Sequence, residues 1–321
     1  LFGGLLIIGL WLVPARAGSI LISDFVNNTV TEYDAVTGAY QTTLVTSGSG
    51  GLNGASGIRV GPDGNIYVTS QFTNTVARFS GITGAYVGDF VMAGAGGLNS
   101  PQDLLFGPDG NLWVVSSAND EIIRYNGRTG APLGVFATVD QPSHNGPINL
   151  LFGPDGNLYV SAFDGSRILK LNGATGALIG TMLPPAGSSP AFVGLVFGPD
   201  GDLYASAIDT TTFVGSVVRY DPSTLALLGT FVANGTGGLI SPTALAFDTA
   251  GNLEVLDPAN TGILEFSGTG AFVSQLVSDP TNLNTPLFFT TINVPEPAAL
   301  SMVVVGLAFC WVRSRLVSRP R

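Results

Sequence analysis

One short phrase recurs along the chain. LLFGPDGNLWVVS at residues 104–116 returns as LLFGPDGNLYVS at 150–161 and LVFGPDGDLYAS at 195–206, with looser copies IRVGPDGNIYVTS at 58–70 and LAFDTAGNLEVLD at 245–257. The turn glycines Gly64, Gly110, Gly156, Gly201 and Gly251 stand 46, 46, 45 and 50 residues apart. A near-constant period of this length marks a solenoid, a propeller or an array.

Each copy has a physical logic. An apolar run meets Gly-Pro-Asp-Gly-Asn and a second apolar run follows. Proline presets φ, aspartate bonds back to the backbone and glycine accepts positive φ, so the phrase reads as a β-hairpin. A third strand follows in every unit, as in TVARFS at 75–80, EIIRYN at 121–126, RILKLN at 167–172 and SVVRYD at 216–221. A turn such as ITGAY or ATGAL then leads into a fourth strand. Each unit is therefore a four-stranded antiparallel meander, the form of a propeller blade. The second strand occurs six times, beginning at Ile20, Ile66, Leu112, Leu158, Leu203 and Leu253, but the first strand only five times before residue 250. The missing copy stands at the other end, as TPLFFTTI at 285–292, with Pro286 where Pro101 and Pro242 fall in their units. The fold expected is all-β, a six-bladed β-propeller closed by pairing of residues 285–292 with the N-terminal blade, which leaves only short edges.

The pattern GLNSPQDLLFGPDGNLWVVSSANDEIIRYNGRTGAPLGVF resembles an NHL-type repeat, also met in virginiamycin B lyase-like and gluconolactonase-like propellers, and the resemblance covers roughly residues 19–292. It implies the fold. It says little of activity, since this architecture carries many unrelated functions.

The ends read differently from the middle. LFGGLLIIGLWLV at 1–13, with Ala15-Arg16-Ala17 before Gly18, reads as a signal peptide over residues 1–17. The propeller is expected over 18–293. Residues 294–321 hold Pro295-Glu296-Pro297, an apolar run from Ala298 to Val312, and Arg313 and Arg315. Fifteen helical residues reach only about 22 Å, short of a hydrocarbon core of ~30 Å, so the segment predicts a short transmembrane helix with flanking arginines at the cytoplasmic side. The three parts in this order closely resemble a PEP-CTERM sorting signal. That resemblance implies export, transient insertion in the inner membrane, cleavage by an exosortase processing enzyme, and delivery to the cell surface or an extracellular polysaccharide matrix in a bacterium.

Between residues 18 and 294 the chain carries 7 Arg plus Lys and 21 Asp plus Glu, a net charge of −14 with no basic stripe, so nucleic acid is not expected as a partner. The one cysteine, Cys310, lies in the tail, which leaves the propeller without disulfide or thiol chemistry.

The aspartates of the GPDGN hairpins recur in every unit and are expected to serve their turns. The irregular positions are better site candidates. At the equivalent channel position the units carry Gly57, Asp103, Asn149, Gly194, Ala244 and Phe288. Asp24, Asp120, Asp164, Asp209 and Asp257 fall near second-strand ends on the opposite face from the hairpins. Asp24, Asp103, Asn149 and Asp257 are therefore the ligand or metal candidates at a channel mouth. No cofactor is required by the sequence, although several carboxylates around a mouth have the donor chemistry for Ca²⁺. The lone histidine, His144, lies in the loop before the fourth blade. No Ser-His-Asp or cysteine nucleophile pattern is present. The third strands carry Arg78, Arg124, Lys170 and Arg219 at one position but Glu32 and Glu265 in the blades that meet at closure, which suggests Arg219–Glu265 and Glu32–Arg78 pairing. The sequence thus points to an exported, non-enzymatic interaction scaffold that binds a polysaccharide or surface protein. A metal-dependent lyase or lactonase acting at the channel mouth is the alternative.

Overall fold

The computed structural model describes residues 18–139 and 146–292. His144, the residues read as a signal peptide and the residues read as a sorting signal lie outside them. The described chain forms six four-stranded antiparallel sheets around a central axis, so the six-bladed propeller expected from the repeat is the observed fold. From axis to rim, blade two is Ala55–Val60, Ile66–Ser70, Thr75–Phe79 and Tyr86–Val91. Blade three is Pro101–Phe106, Leu112–Ser116, Glu121–Tyr125 and Pro132–Thr138, and blade four runs from Pro147–Phe152 out to Leu178–Met182. Blade five runs from Ala191–Phe197 to Leu227–Val232 and blade six from Leu245–Phe247 to Phe272–Ser278. Blade one is composite. Its inner strand is the last in the chain, Pro286–Ile292, paired antiparallel with the first, Ser19–Asp24. The chain alternates direction within each blade, so the molecule has two faces. The hairpin face carries the GPDGN turns. The loop face carries the turns between second and third strands and the incoming inter-blade loops.

The GPDGN aspartate does more than close its turn. Asp155 Oδ1 accepts from the Asn157 N–H at 3.1 Å, while Oδ2 accepts from the Tyr159 hydroxyl at 2.9 Å and pairs with Lys170 Nζ at 2.8 Å. Asp109 serves Asn111, Trp113 Nε1 and Arg124, and Asp200 serves Asp202, Tyr204 and Arg219. The following glycine, for example Gly156 at φ 74°, sits in the left-handed region that other residues seldom adopt. The second-strand aromatic held this way wedges against the next blade. Tyr67 meets Phe106, Trp113 meets Phe152, Tyr159 meets Phe197 and Tyr204 meets Phe247, all edge-to-face at 5.0–5.2 Å. The four second-strand aromatics are buried and their Phe partners are partly buried, and such contacts exceed their area burial by about 0.5–1.5 kcal/mol.

The cations answer the pairing expectation. Arg219 binds Asp200 and Asp202 of its own blade, and Glu265 accepts from Asn252 and Ser274 of its own blade. The expected Arg219–Glu265 bridge is therefore replaced by pairs within each blade, because the cation lies over its own hairpin. Lys170 also reaches onward, donating to the Pro222 carbonyl of blade five at 2.8 Å.

The aromatic wedge is absent on both sides of the closing blade. Leu21 and Val60 take its place between blades one and two, and Glu254 and Thr291 between blades six and one. Glu254 sits directly opposite Glu265 across the strand pair and is buried. Burial first, then the charges of Asp248 and Glu265, push its carboxyl up to about 7. Closure combines a buried aliphatic cluster that joins Ile263 of blade six, Ile22 of blade one and Ile58 of blade two with polar links between distant segments. The Tyr33 hydroxyl donates to Asp279 at 3.0 Å and the Phe25 N–H to the Thr285 carbonyl at 2.9 Å.

Candidate functional site

The inner strands of blades two to five share a register irregularity at the point where they turn toward the axis. Such a bulge re-aims a strand. Second-strand hydroxyls staple blades two, four and five to the next blade: Thr69 donates to the Gln102 carbonyl at 2.7 Å, Ser161 to that of Val193 at 2.6 Å and Ser206 to that of Thr243 at 3.3 Å. The strands are so close here that a Cβ on Gly57 would stand 2.6 Å from the Gln102 oxygen, and one on Gly194 2.2 Å from the Thr243 oxygen. Small residues at these two positions are thus a packing requirement. Phe288, contributed by the closing strand, occupies the channel position of blade one and is 2% exposed.

Asp103 and Asn149, predicted as candidates at an open mouth, are brought together but lie buried midway along the channel. Asn149 Nδ2 donates to Asp103 Oδ2 at 2.6 Å. Arg59 Nη2 donates to the same oxygen at 3.1 Å, while Nη1 donates to the Ile58 carbonyl at 2.7 Å. Burial pushes the Asp103 carboxyl up to about 6, against the pull of the Arg59 charge. Arg59 was not singled out from the sequence. Its signal is there nonetheless: the equivalent residues are Leu105, Leu151, Val196, Ala246 and Thr290, so it is the one charge in that row.

Two cavities flank this layer, with Phe288 in the lining of both. On the loop face, Ile148, Phe163, Val193, Ile208 and Leu287 wall an apolar cavity of about 150 Å³, with Gln102 and Thr243 its polar members. Around it on the same face stand the exposed side chains of Val26, Phe72 (62% exposed), Phe163, Phe213 (70%) and Ile240. Phe72 is braced edge-to-face by Phe25 at 5.4 Å. On the hairpin face, Arg59 and Asn149 enter the lining of a cavity of about 180 Å³.

The other two candidates do not join Asp103. Asp24 is fully buried and accepts from the Asn27 N–H at 2.8 Å and from those of Asn284 and Thr285 at 2.6 and 2.9 Å. Asp257, also fully buried, accepts from the N–H groups of Ile240, Ser241 and Ala259 and from the Asn260 side chain. Ser70 and Ser116 hold the Asn53 and Asn99 loops from the equivalent strand end. These aspartates therefore anchor incoming loops. Asp209 caps its own turn through the Thr211 and Thr212 N–H groups, and Asp120 accepts from the Gly146 N–H. Among the described residues no three His, Cys, Asp or Glu side chains converge as a metal site requires, and no helix is long and apolar enough to cross a membrane.

No protein-family model and no curated protein matches the chain. Solved structures do, through the fold. A protein of unknown function from Bacteroides caccae is 17% identical with a TM-score of 0.66, covering 86% of this chain and 99% of that one. A chain of the nidogen/laminin complex is 14% identical with a TM-score of 0.65, covering 86% and 98%. Virginiamycin B lyase from Staphylococcus aureus, crystallised in inactive form with quinupristin, is 15% identical with a TM-score of 0.57, covering 84% and 88%. At such identities the likeness is one of architecture alone.

Proposed function

We propose that the chain is an exported, non-enzymatic binding scaffold of the cell surface or exopolysaccharide matrix, and that its ligand docks at the loop-face mouth. The observation that carries this reading is the apolar cavity walled by Ile148, Phe163, Val193, Ile208 and Leu287, set among exposed Phe72 and Phe213. An exposed apolar patch around a concave opening marks an interaction site. Hydrocarbon walls suit an apolar side chain better than a sugar's hydroxyls. The chain is acidic, and Asp164 and Asp209 flank Phe163 and Phe213 in the sequence of this face. The ligand we favour is accordingly a surface-protein segment that presents a bulky apolar residue flanked by Lys or Arg.

The export half of the proposal rests on residues 1–17 and 294–321 and on one geometric fact. Ser19 pairs with Ile292, so both described ends leave from the hairpin face, opposite the mouth. A lyase or lactonase reading needs Asp103, Asn149 and Asp257 around one ligand, and Asp257 is instead tied into the loop of its own blade.

Two measurements test the proposal. Peptide and glycan arrays are probed with wild-type protein and with Phe163→Ser. Binding to apolar-basic peptides that is lost in the variant supports the mouth as the site; binding to glycans alone, or binding indifferent to Phe163, overturns it. Mass spectrometry of the released protein should show a C-terminus near residue 297, and a tail intact to Arg321 overturns processing.

A further inference from the structure

The hairpin-face cavity carries a second site, distinct from the mouth above. We propose that it binds a small hydroxy-carboxylate, held by Arg59 and Asn149.

Asn149 is 96% buried by its 4% exposure, and its Oδ1 has no hydrogen-bond partner among the described residues. Its Nδ2 is committed to Asp103, which fixes the amide so that Oδ1 is the free end. A buried acceptor without a partner is costly, and native structures hold few of them. Asn149 lines the cavity, and we assign the missing donor to what fills it. Arg59 lines the same cavity with its side chain 27% exposed. A guanidinium has five N–H donors, and two of the Arg59 nitrogens serve the Ile58 carbonyl and Asp103. Donors therefore remain at the cavity.

The ligand must offer an acceptor to Arg59 and a donor to Asn149. A carboxylate matches the planar fork of an arginine, and a neighbouring hydroxyl supplies the donor. A doubly charged phosphate is disfavoured, because the buried Asp103 carboxylate already sits against the same guanidinium. Leu151, Val196 and Ala246 provide carbon walls, and Thr290 adds a hydroxyl. The volume of about 180 Å³ is roughly that of six waters and lies below the ~300 Å³ at which drug-sized sites begin, which limits the occupant to a small molecule or a single sugar-acid unit. Phe288 closes the cavity toward the loop face, so entry is from the side of the GPDGN hairpins.

The test is titration calorimetry of the full chain with D-glucuronate, D-glucose and acetate. Glucuronate should bind, and glucose, which lacks the carboxylate, and acetate, which lacks the hydroxyls, should each bind at least about tenfold more weakly. Arg59→Lys keeps the charge and loses the fork, and should weaken glucuronate by about tenfold. Ala246→Leu fills the cavity without touching the polar groups and should abolish binding while thermal unfolding confirms a folded protein. Phe163→Ser, at the opposite mouth, should leave glucuronate binding unchanged, which separates this site from the proposed docking surface. No heat with glucuronate, or affinity that ignores both Arg59→Lys and Ala246→Leu, overturns the proposal.

Discussion

The carboxylate of Asp24 holds the N–H of Thr285 at 2.9 Å across 261 residues of sequence. With the Asn284 N–H at 2.6 Å, this places the last inter-strand loop against the end of the first strand. Hydrogen bonds to a charged group contribute about 1.5–3 kcal/mol each, and their loss leaves buried donors unsatisfied. Asp24→Ala should therefore lower unfolding stability by about 3 kcal/mol, read as a reduced denaturant midpoint. A loss under ~0.5 kcal/mol would show that strand pairing alone closes the ring.

Trp113 is held by Asp109 and wedged between Phe136 at 4.3 Å and Phe152 at 5.1 Å. It is 2% exposed. Trp113→Ala should cost about 3–5 kcal/mol. Trp113→Phe, which keeps an aromatic ring but loses part of the indole's bulk and its Nε1 bond to Asp109, should recover most of that in thermal unfolding.

Glu254 holds its proton in the folded chain up to about pH 7, against 4.5 for an ordinary glutamate. Between those values the folded state binds more protons than the unfolded one, so stability falls as pH rises through this window and stays low above it. Glu254→Gln should stabilise the protein by about 1–3 kcal/mol at pH 8 and make no difference near pH 4.5. A gain that is the same at both pH values would assign the effect to packing.

Lys170 bridges Asp155 of blade four and the Pro222 carbonyl of blade five. Hydrogen bonds, Lys170 among them, outweigh desolvation and hold the Asp155 carboxyl down at about 2. That contribution is present above pH 4 and is lost as pH falls toward 2. Lys170→Met should cost about 1–2 kcal/mol at pH 7, since hydrogen bonds to a charged group are lost at both ends. The gap from wild type should narrow below pH 3, as unfolding curves across that range would reveal.

How much of this could be read without coordinates depended on the kind of residue. Gly110 and Asp109 are legible because a turn is a local event, and their neighbours in sequence are their neighbours in space. The closing strand is legible because residues 285–292 complete a count of otherwise regular units. Asp24 and Asp257 were legible as irregular carboxylates but not as loop anchors, because their partners are N–H groups that every residue except proline possesses. Arg59 is not legible in this way, because a row of channel positions is meaningful only once six strands share an axis.

The repeat by itself determined the blade count, the strand order and the turn chemistry, since each follows from apolar periodicity and from residues with special backbone preferences. Tertiary structure alone decided that the channel is stopped by Phe288, that Asp103 and Asn149 meet in the same layer, and that an apolar mouth and an arginine-lined cavity open on opposite faces. Those outcomes depend on distances between blades tens to hundreds of residues apart. Side-chain volume and lone-pair occupancy settle them, and neither is written in the order of the residues.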